Sequence, residues 1–235
     1  MLQALLEGAD PPAANVNGRP LHLELLEGSS SAADYERRTA FNGALGVRHP
    51  SWHDLFNVLA WAAWPRTKAA LNARHVAELA RETGGNRSAA RDALTGFDED
   101  GVVIAVAEQQ LEGLVREFRW KELFWHRRST LPASFTAFVF GHALAEKLLA
   151  PFVGITGKAV CVPVEPGFAH LDLTAQRRHL DARLAERLRS DGSFASPRDL
   201  MPLPVLGLPG WWQRGDDADF YEDTAYFRPG RTRAR

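Results

Sequence analysis

Pro50-Ser51-Trp52-His53-Asp54-Leu55-Phe56-Asn57-Val58-Leu59-Ala60-Trp61-Ala62-Ala63-Trp64-Pro65 is the stretch from which the rest of the chain is read. Ser51 suits a helix N-cap and Asp54 stands at the capping-box position three residues on, so a helix is predicted over 52–64. Pro65 breaks it and suits the first turn of the next helix, predicted over 65–83 and stopped by Gly84-Gly85. At about 100° per residue, Trp52, Leu55, Phe56, Leu59 and Ala63 share one side of the first helix. The other side carries His53, Asp54, Asn57, Trp61 and Trp64, with no Lys, Arg or Glu. A helix without an ordinary solvated face is a buried one. His53 and Asn57, neighbours at i, i+4, therefore need polar partners inside the protein, either from the backbone or from a site.

The second helix repeats the anomaly. Lys68, Asn72 and His75 fall at i, i+4, i+7 within the apolar stripe of Leu71, Val76 and Leu79, while Arg74 and Arg81 mark the outer side. A buried lysine must be paired, neutralised or open on a cleft; the alternative is that Lys68 runs its stem out to solvent. Further on, Ser129 to Ala145 is uncharged, and a buried helix is predicted over 134–149. It sets His142 and Glu146 at i, i+4, a spacing that lets both reach one metal ion or one proton, or simply bond to each other in the core.

Working outward, Leu21 to Leu25 alternates as a strand and a first helix begins near Ala33. Residues 92–106 read as a β-hairpin, with strands at Ala93–Phe97 and Val102–Val106. Its turn, Asp98-Glu99-Asp100-Gly101, should hold its carboxylates in solvent without an ion. Helices follow over 109–127 and 174–190, with a strand over 158–165 that contains Cys161. The Pro/Gly/aromatic tail, 207–235, is expected to wrap the surface. The fold class is α+β: one helix-rich domain with a β-hairpin and a few short strands.

Composition narrows function by exclusion. With 235 residues and a formal net charge of −1, the chain gives no reason to expect a nucleic-acid or anionic-membrane partner. A single cysteine rules out an internal disulfide and cysteine-based zinc sites. Met1 to Asp10 lacks the pattern of a signal peptide and no stretch reads as a membrane span, so the expected location is cytoplasmic. Serine-hydrolase and common nucleotide-binding motifs are missing. A histidine–aspartate phosphohydrolase order can be threaded through His22 and His53-Asp54, but His22 sits in a strand where that fold needs a helix.

The chain resembles a bacterial, chiefly proteobacterial, family known only as a domain of unknown function. The matching stretches are Trp52 to Asn57, Pro65-Arg66 to Lys68, Ala70-Leu71-Asn72 with His75, and Arg91 to Thr95 followed by Phe97-Asp98-Glu99. To these are added Phe140-Gly141-His142-Ala143-Leu144 and the tail motifs Leu208 to Trp211, Phe220-Tyr221 and Phe227-Arg228-Pro229. The resemblance implies neither fold nor activity. The residues themselves suggest a hydrolase-type enzyme with its site between the 52–64, 65–83 and 134–149 helices and a divalent metal ion as candidate cofactor. His53, Asp54, Lys68 and His75 are the candidate catalytic residues. Asn57, Trp61, Trp64 and Asn72 are candidates for holding a small-molecule substrate, and His142 with Glu146 for the metal. The alternative is a non-catalytic module that binds a small ligand or a protein through its aromatic tail, with the polar faces as structural networks.

Overall fold

The computed structural model describes residues 1–28, 30–82, 86–190 and 192–230. Its helices are α1 (Leu2–Glu7), α2 (Ala32–Asn42), α3 (Trp52–Ala63), α4 (Pro65–Arg81), α5 (Ala89–Asp100), α6 (Gln109–Arg116), α7 (Leu131–Ser134), α8 (His142–Lys147) and α9 (Leu173–Arg189). Its strands are β1 (His22–Leu25), β2 (Ala44–Val47), β3 (Gly101–Val106), β4 (Phe135–Val139), β5 (Thr156–Pro163) and β6 (Met201–Pro204). The class is α+β, as the sequence predicts. Among the described residues no helix is long and apolar enough to cross a membrane.

The main sheet has the order β4-β3-β5-β6, with β3 parallel to β5 and antiparallel to β4. One of its two inner strands, β3, Gly-Val-Val-Ile-Ala-Val, is apolar throughout because both faces are covered. Val102, Ile104 and Val106 join one core with Phe124 and Leu203, and Val103 and Ala105 join another with Phe97, Leu180 and Leu184. A separate parallel pair, β1-β2, is linked by α2 and packs with α1, α3 and the start of α4 around Leu45, Val58 and Trp61. The α3–α4 corner forms as expected: Ser51 Oγ accepts from Asp54 N, and Pro65 opens the second helix. That helix ends at Arg81; Thr83 and Gly84-Gly85 lie outside the described residues.

Three expected elements are corrected. Residues 92–106 do not form a hairpin: Ala89–Asp100 is a helix capped by Ser88, and Gly101 starts β3 directly. Ala93, Leu94 and Phe97 are its buried face, and this i, i+1, i+4 pattern is helical even though it is too short to stand out. The single helix over 134–149 is a strand and a short helix, Phe135–Val139 and His142–Lys147. The aromatic and β-branched run before Gly141 gains more from pairing with β3 than from continuing a helix. Likewise 109–127 breaks after Arg116, where Phe118 takes φ 59°, and resumes as a π-helical turn at Glu122–His126.

The tail packs rather than displays its aromatics. Phe220, Tyr221, Tyr226 and Phe227 are buried in the core on one face of the sheet, while Trp211 stays exposed. The Tyr226 hydroxyl donates to Ile155 O (2.9 Å) and accepts from Leu206 N (2.9 Å). Tyr226→Phe strands both buried groups and should cost about 1–3 kcal/mol. Thermal unfolding should show this as a midpoint lowered by several degrees; an unchanged midpoint would mean that the tail contributes nothing to the core.

Candidate metal centre

Helix α5 ends in Asp98-Glu99-Asp100, three carboxylates at the negative end of the helix dipole, so each needs a compensating positive partner. Asp98 has one: its Oδ1 lies 2.5 Å from Lys68 Nζ. Asp100 has one in Lys147, at 2.6 Å. Among the described residues, the ion-pair partners of Glu99 are only imidazoles, His142 Nε2 at 3.5 Å and His53 Nε2 at 4.0 Å from its Oε2. The exposed turn expected at 98–101 is thus overturned, and Asp98 and Glu99 point into the cavity beside His53.

Backbone geometry brings these groups together. His142 follows Gly141, where a Cβ would lie 2.3 Å from Gly101 N and 2.4 Å from Glu99 O. The amides of Phe140 and Gly141 both donate to Gly101 O at 2.9 Å. The β4–α8 corner therefore sits directly on the α5–β3 corner, and only glycine permits that approach. His53 comes from the first turn of α3, which packs against α8. That turn is held by Asp54, whose carboxylate accepts from Arg48 N, Nε and Nη2 at 2.7, 2.8 and 2.7 Å. Burial works against the Asp54 charge, but these bonds outweigh it and keep its carboxyl below the usual range.

The Nε2 atoms of His53 and His142 are 3.1 Å apart. Behind each ring stands a carboxylate: Glu146 Oε2 is 3.5 Å from His53 Nδ1, and Asp98 Oδ2 is 3.9 Å from His142 Nδ1. The Glu146 carboxylate favours the Nδ1–H form of His53, which leaves its Nε2 lone pair facing His142. His142 Nδ1 is buried without a hydrogen-bond partner among the described residues, and its Nε2 faces the same point. Two lone pairs so close repel unless a proton or a cation lies between them. The three ligand atoms form a triangle with sides of 3.1, 3.5 and 4.0 Å. Zinc bonds of about 2.0–2.1 Å in a tetrahedron require edges of roughly 3.3–3.4 Å, within that spread. Burial lowers His142 to about 4, so it is neutral as a ligand must be. Burial, reinforced by the neighbouring Asp98 charge, raises Glu99.

Lys68, only 2% exposed, anchors the floor of the site. Its ammonium donates to Asp98 Oδ1 and to Asn57 Oδ1 (2.9 Å) and lies 5.5 Å from the Trp61 ring centre. Burial opposes the Asp98 charge, but Lys68 and the facing imidazoles hold that carboxyl below its usual range. On the same cavity, Glu36 accepts from Asn72 Nδ2 (2.6 Å), and burial pushes its carboxyl up to about 7. His75 lines the cavity too, lowered to about 4 by burial, with Nδ1 lacking a hydrogen-bond partner. The cavity holds about 270 Å³.

Of the residues proposed from sequence, His53, Asp54, Asn57, His75 and His142 line this one cavity. Lys68 and Asn72 lie beneath it, committed to Asp98, Asn57 and Glu36 rather than open to a substrate anion. Glu146 stands behind His53 instead of sharing an ion with His142. The two tryptophans do not wall the cleft: Trp61 is buried over Lys68, and Trp64 packs in the core against Phe138 and Phe140. Tyr35, Glu36, Asp98 and Glu99 are site residues that the sequence reading missed. Three acids closing a helix were the signal for the last two, hidden by reading that helix as a hairpin.

The family profile described as "Protein of unknown function (DUF3025)" matches residues 25–231, and the chain belongs to that family. No curated protein and no solved structure matches it.

Gly141→Ala should force the two corners apart, costing about 1–3 kcal/mol as overpacking does. A melting curve identical to wild type would show that the approach is not tight. Glu36 supplies a pH test. Its carboxyl rises from 4.5 to about 7 on folding, so between those values the folded chain holds the extra proton. That contribution to stability is full below about 4.5 and lost as pH rises through 7. Relative to wild type, Glu36→Gln should gain stability as pH is raised across this window; parallel stability–pH curves would refute the shift.

Proposed function

We propose that this chain is a metal-assisted hydrolase of small carboxylic esters or amides, with one divalent ion held by His53, Glu99 and His142. The observation that supports it is Glu99, a half-buried carboxylate at the wrong end of a helix, faced by two imidazoles, with Glu146 standing beside the other nitrogen of His53. Burial and the Asp98 charge both work against the Glu99 carboxylate, and a cation at the imidazole–carboxylate triangle would relieve both.

Two nitrogens and one oxygen suit zinc or a similar first-row ion and leave a coordination position open. Such an ion, when bound, polarises a carbonyl and lowers the pKa of water. The chain's own residues supply the rest. Glu146 stands beside Nδ1 of His53, and the Asp98 carboxylate lies 3.9 Å from Nδ1 of His142, close enough to favour its charge but not to bond it. Glu36, titrating near neutrality in the same cavity, is placed to take up and return a proton. The cavity is small beside drug-sized pockets of about 300–1,000 Å³. Its cations are already engaged, Arg48 with Asp54 and Arg87 with Asp92, as is Lys68 beneath it with Asp98. This favours a substrate that develops one negative charge on a carbonyl oxygen over a phosphate dianion.

Elemental analysis of the purified chain, with zinc titration of the apo-protein, tests the reading. One divalent ion per chain is expected, with zinc raising the thermal midpoint; at 100 times Kd it stabilises by about 2.7 kcal/mol. Glu99→Gln should abolish that rise while leaving the apo midpoint equal or higher, because it removes an uncompensated charge. A wild-type chain that neither carries nor binds a divalent ion at micromolar concentration would end the hydrolase reading.

A further inference from the structure

The chain has three tyrosines, and two of them are spent on the core. The Tyr226 hydroxyl donates to Ile155 O, and that of Tyr221 to the carbonyls of Gly207 and Gly215 at 3.0 and 3.1 Å. Tyr35 is wired the other way round. Its oxygen accepts twice, from Asn57 Nδ2 at 2.7 Å and from Trp61 Nε1 at 3.4 Å, and among the described residues its own proton is donated to none. A phenol has one donor and two acceptor sites. With both acceptor sites filled from the α3 side, the O–H must point along the remaining direction, and Tyr35 lines the metal cavity.

The wiring continues behind it. Asn57 donates to Tyr35 through its amide nitrogen because its oxygen is held by Lys68 Nζ at 2.9 Å. A buried ammonium, an amide and a phenol thus form a chain in which every donor points toward the cavity, and each bond polarises the next. Asn57 and His53 lie one turn apart on one face of α3, so their Cβ atoms are roughly 5–6 Å apart. Tyr35 lines the same cavity as His53, Glu99 and His142. The hydroxyl keeps its proton, since burial, with Glu36 and Asp98 nearby, raises its pKa far above the ordinary phenol.

We infer that Tyr35 is the hydrogen-bond donor that binds the carbonyl oxygen of the substrate opposite the metal, polarised by Lys68 through Asn57. This rests on the metal-assisted reading above and adds a second electrophile to it. A neutral donor of this kind stabilises charge as it develops on the oxygen without attracting a competing dianion. Lys68 and Asn57 act through Tyr35 and are positioning residues.

The test uses cobalt-loaded protein and acetate, a carboxylate probe small enough for the cavity. Cobalt affinity should be the same in wild type and Tyr35→Phe, because Tyr35 is no ligand. Acetate, followed by the cobalt absorption bands, should bind at least about tenfold more weakly to the variant, the loss of one charge-assisted hydrogen bond. In the wild type, acetate should also shift the tyrosine doublet in ultraviolet resonance Raman spectra, which reports whether a phenol donates. Either an acetate Kd changed by less than about threefold or an unmoved doublet overturns the Tyr35 assignment while leaving the metal reading standing. Tyr35→Phe strands two N–H groups, so if it fails to fold the wild-type doublet alone decides. A wild type that binds no cobalt overturns the metal reading, and this inference with it.

Discussion

Gly101 and Gly141 meet backbone to backbone, and the candidate site depends on that contact. Three features follow from it: Glu99 is brought within reach of His142, β3 is offered to β4 as a partner, and the chain turns out of the sheet into α8. No side chain larger than hydrogen fits at Gly141, where a Cβ would fall well inside van der Waals contact with main-chain atoms. The two corners are rigid because both leave the same sheet. The ligand geometry is thus inherited from strand pairing rather than from a loop.

Charge in the floor of the site follows a similar economy. A buried Lys68–Asp98 pair adds little to net stability, because removing both charges from water costs about as much as their attraction returns. What the pair does is direct its neighbours. One ammonium fixes the carboxylate behind His142 and, through Asn57, the orientation of the Tyr35 hydroxyl. Either partner alone would be an unsatisfied buried ion, so their loss would be felt on both sides of the cavity.

How far the sequence revealed this depends on whether each element's signal was local. Helices α3 and α4 were legible because caps and Pro65 are written within a few residues, and the buried Asn57, Lys68 and Asn72 were found on faces without ordinary charge. His53 is half-buried, and the Trp52, Leu55, Phe56 and Leu59 side of α3, which reads as a core stripe, is its more exposed side. Helix α5 was not, because Asp98-Glu99-Asp100-Gly101 has the composition of a turn and contradicts the helix dipole; only partners far along the chain, Lys68 and Lys147, make it tolerable. Strand β4 was hidden for the same reason. Phe135 to Val139 is apolar enough for either structure, and pairing with β3 decides it. Tyr35 and Glu36 carry no local mark at all, since their roles come from contacts of α2 with α3 and α4, respectively.

The parallel β1-β2 pair has a core of its own, distinct from the two that flank the main sheet. His53 stands on α3, which contributes Val58 and Trp61 to that smaller core, whereas His142 and Glu99 leave the main sheet. An ion shared among them would therefore be a rivet across a seam, joining positions 89 residues apart along the chain. A disulfide closing a loop of that size contributes about 4–5 kcal/mol in the chain-entropy view. With one cysteine, this chain has no internal disulfide open to it, and a metal rivet would do the same work reversibly, fastening or releasing the seam with the supply of the ion.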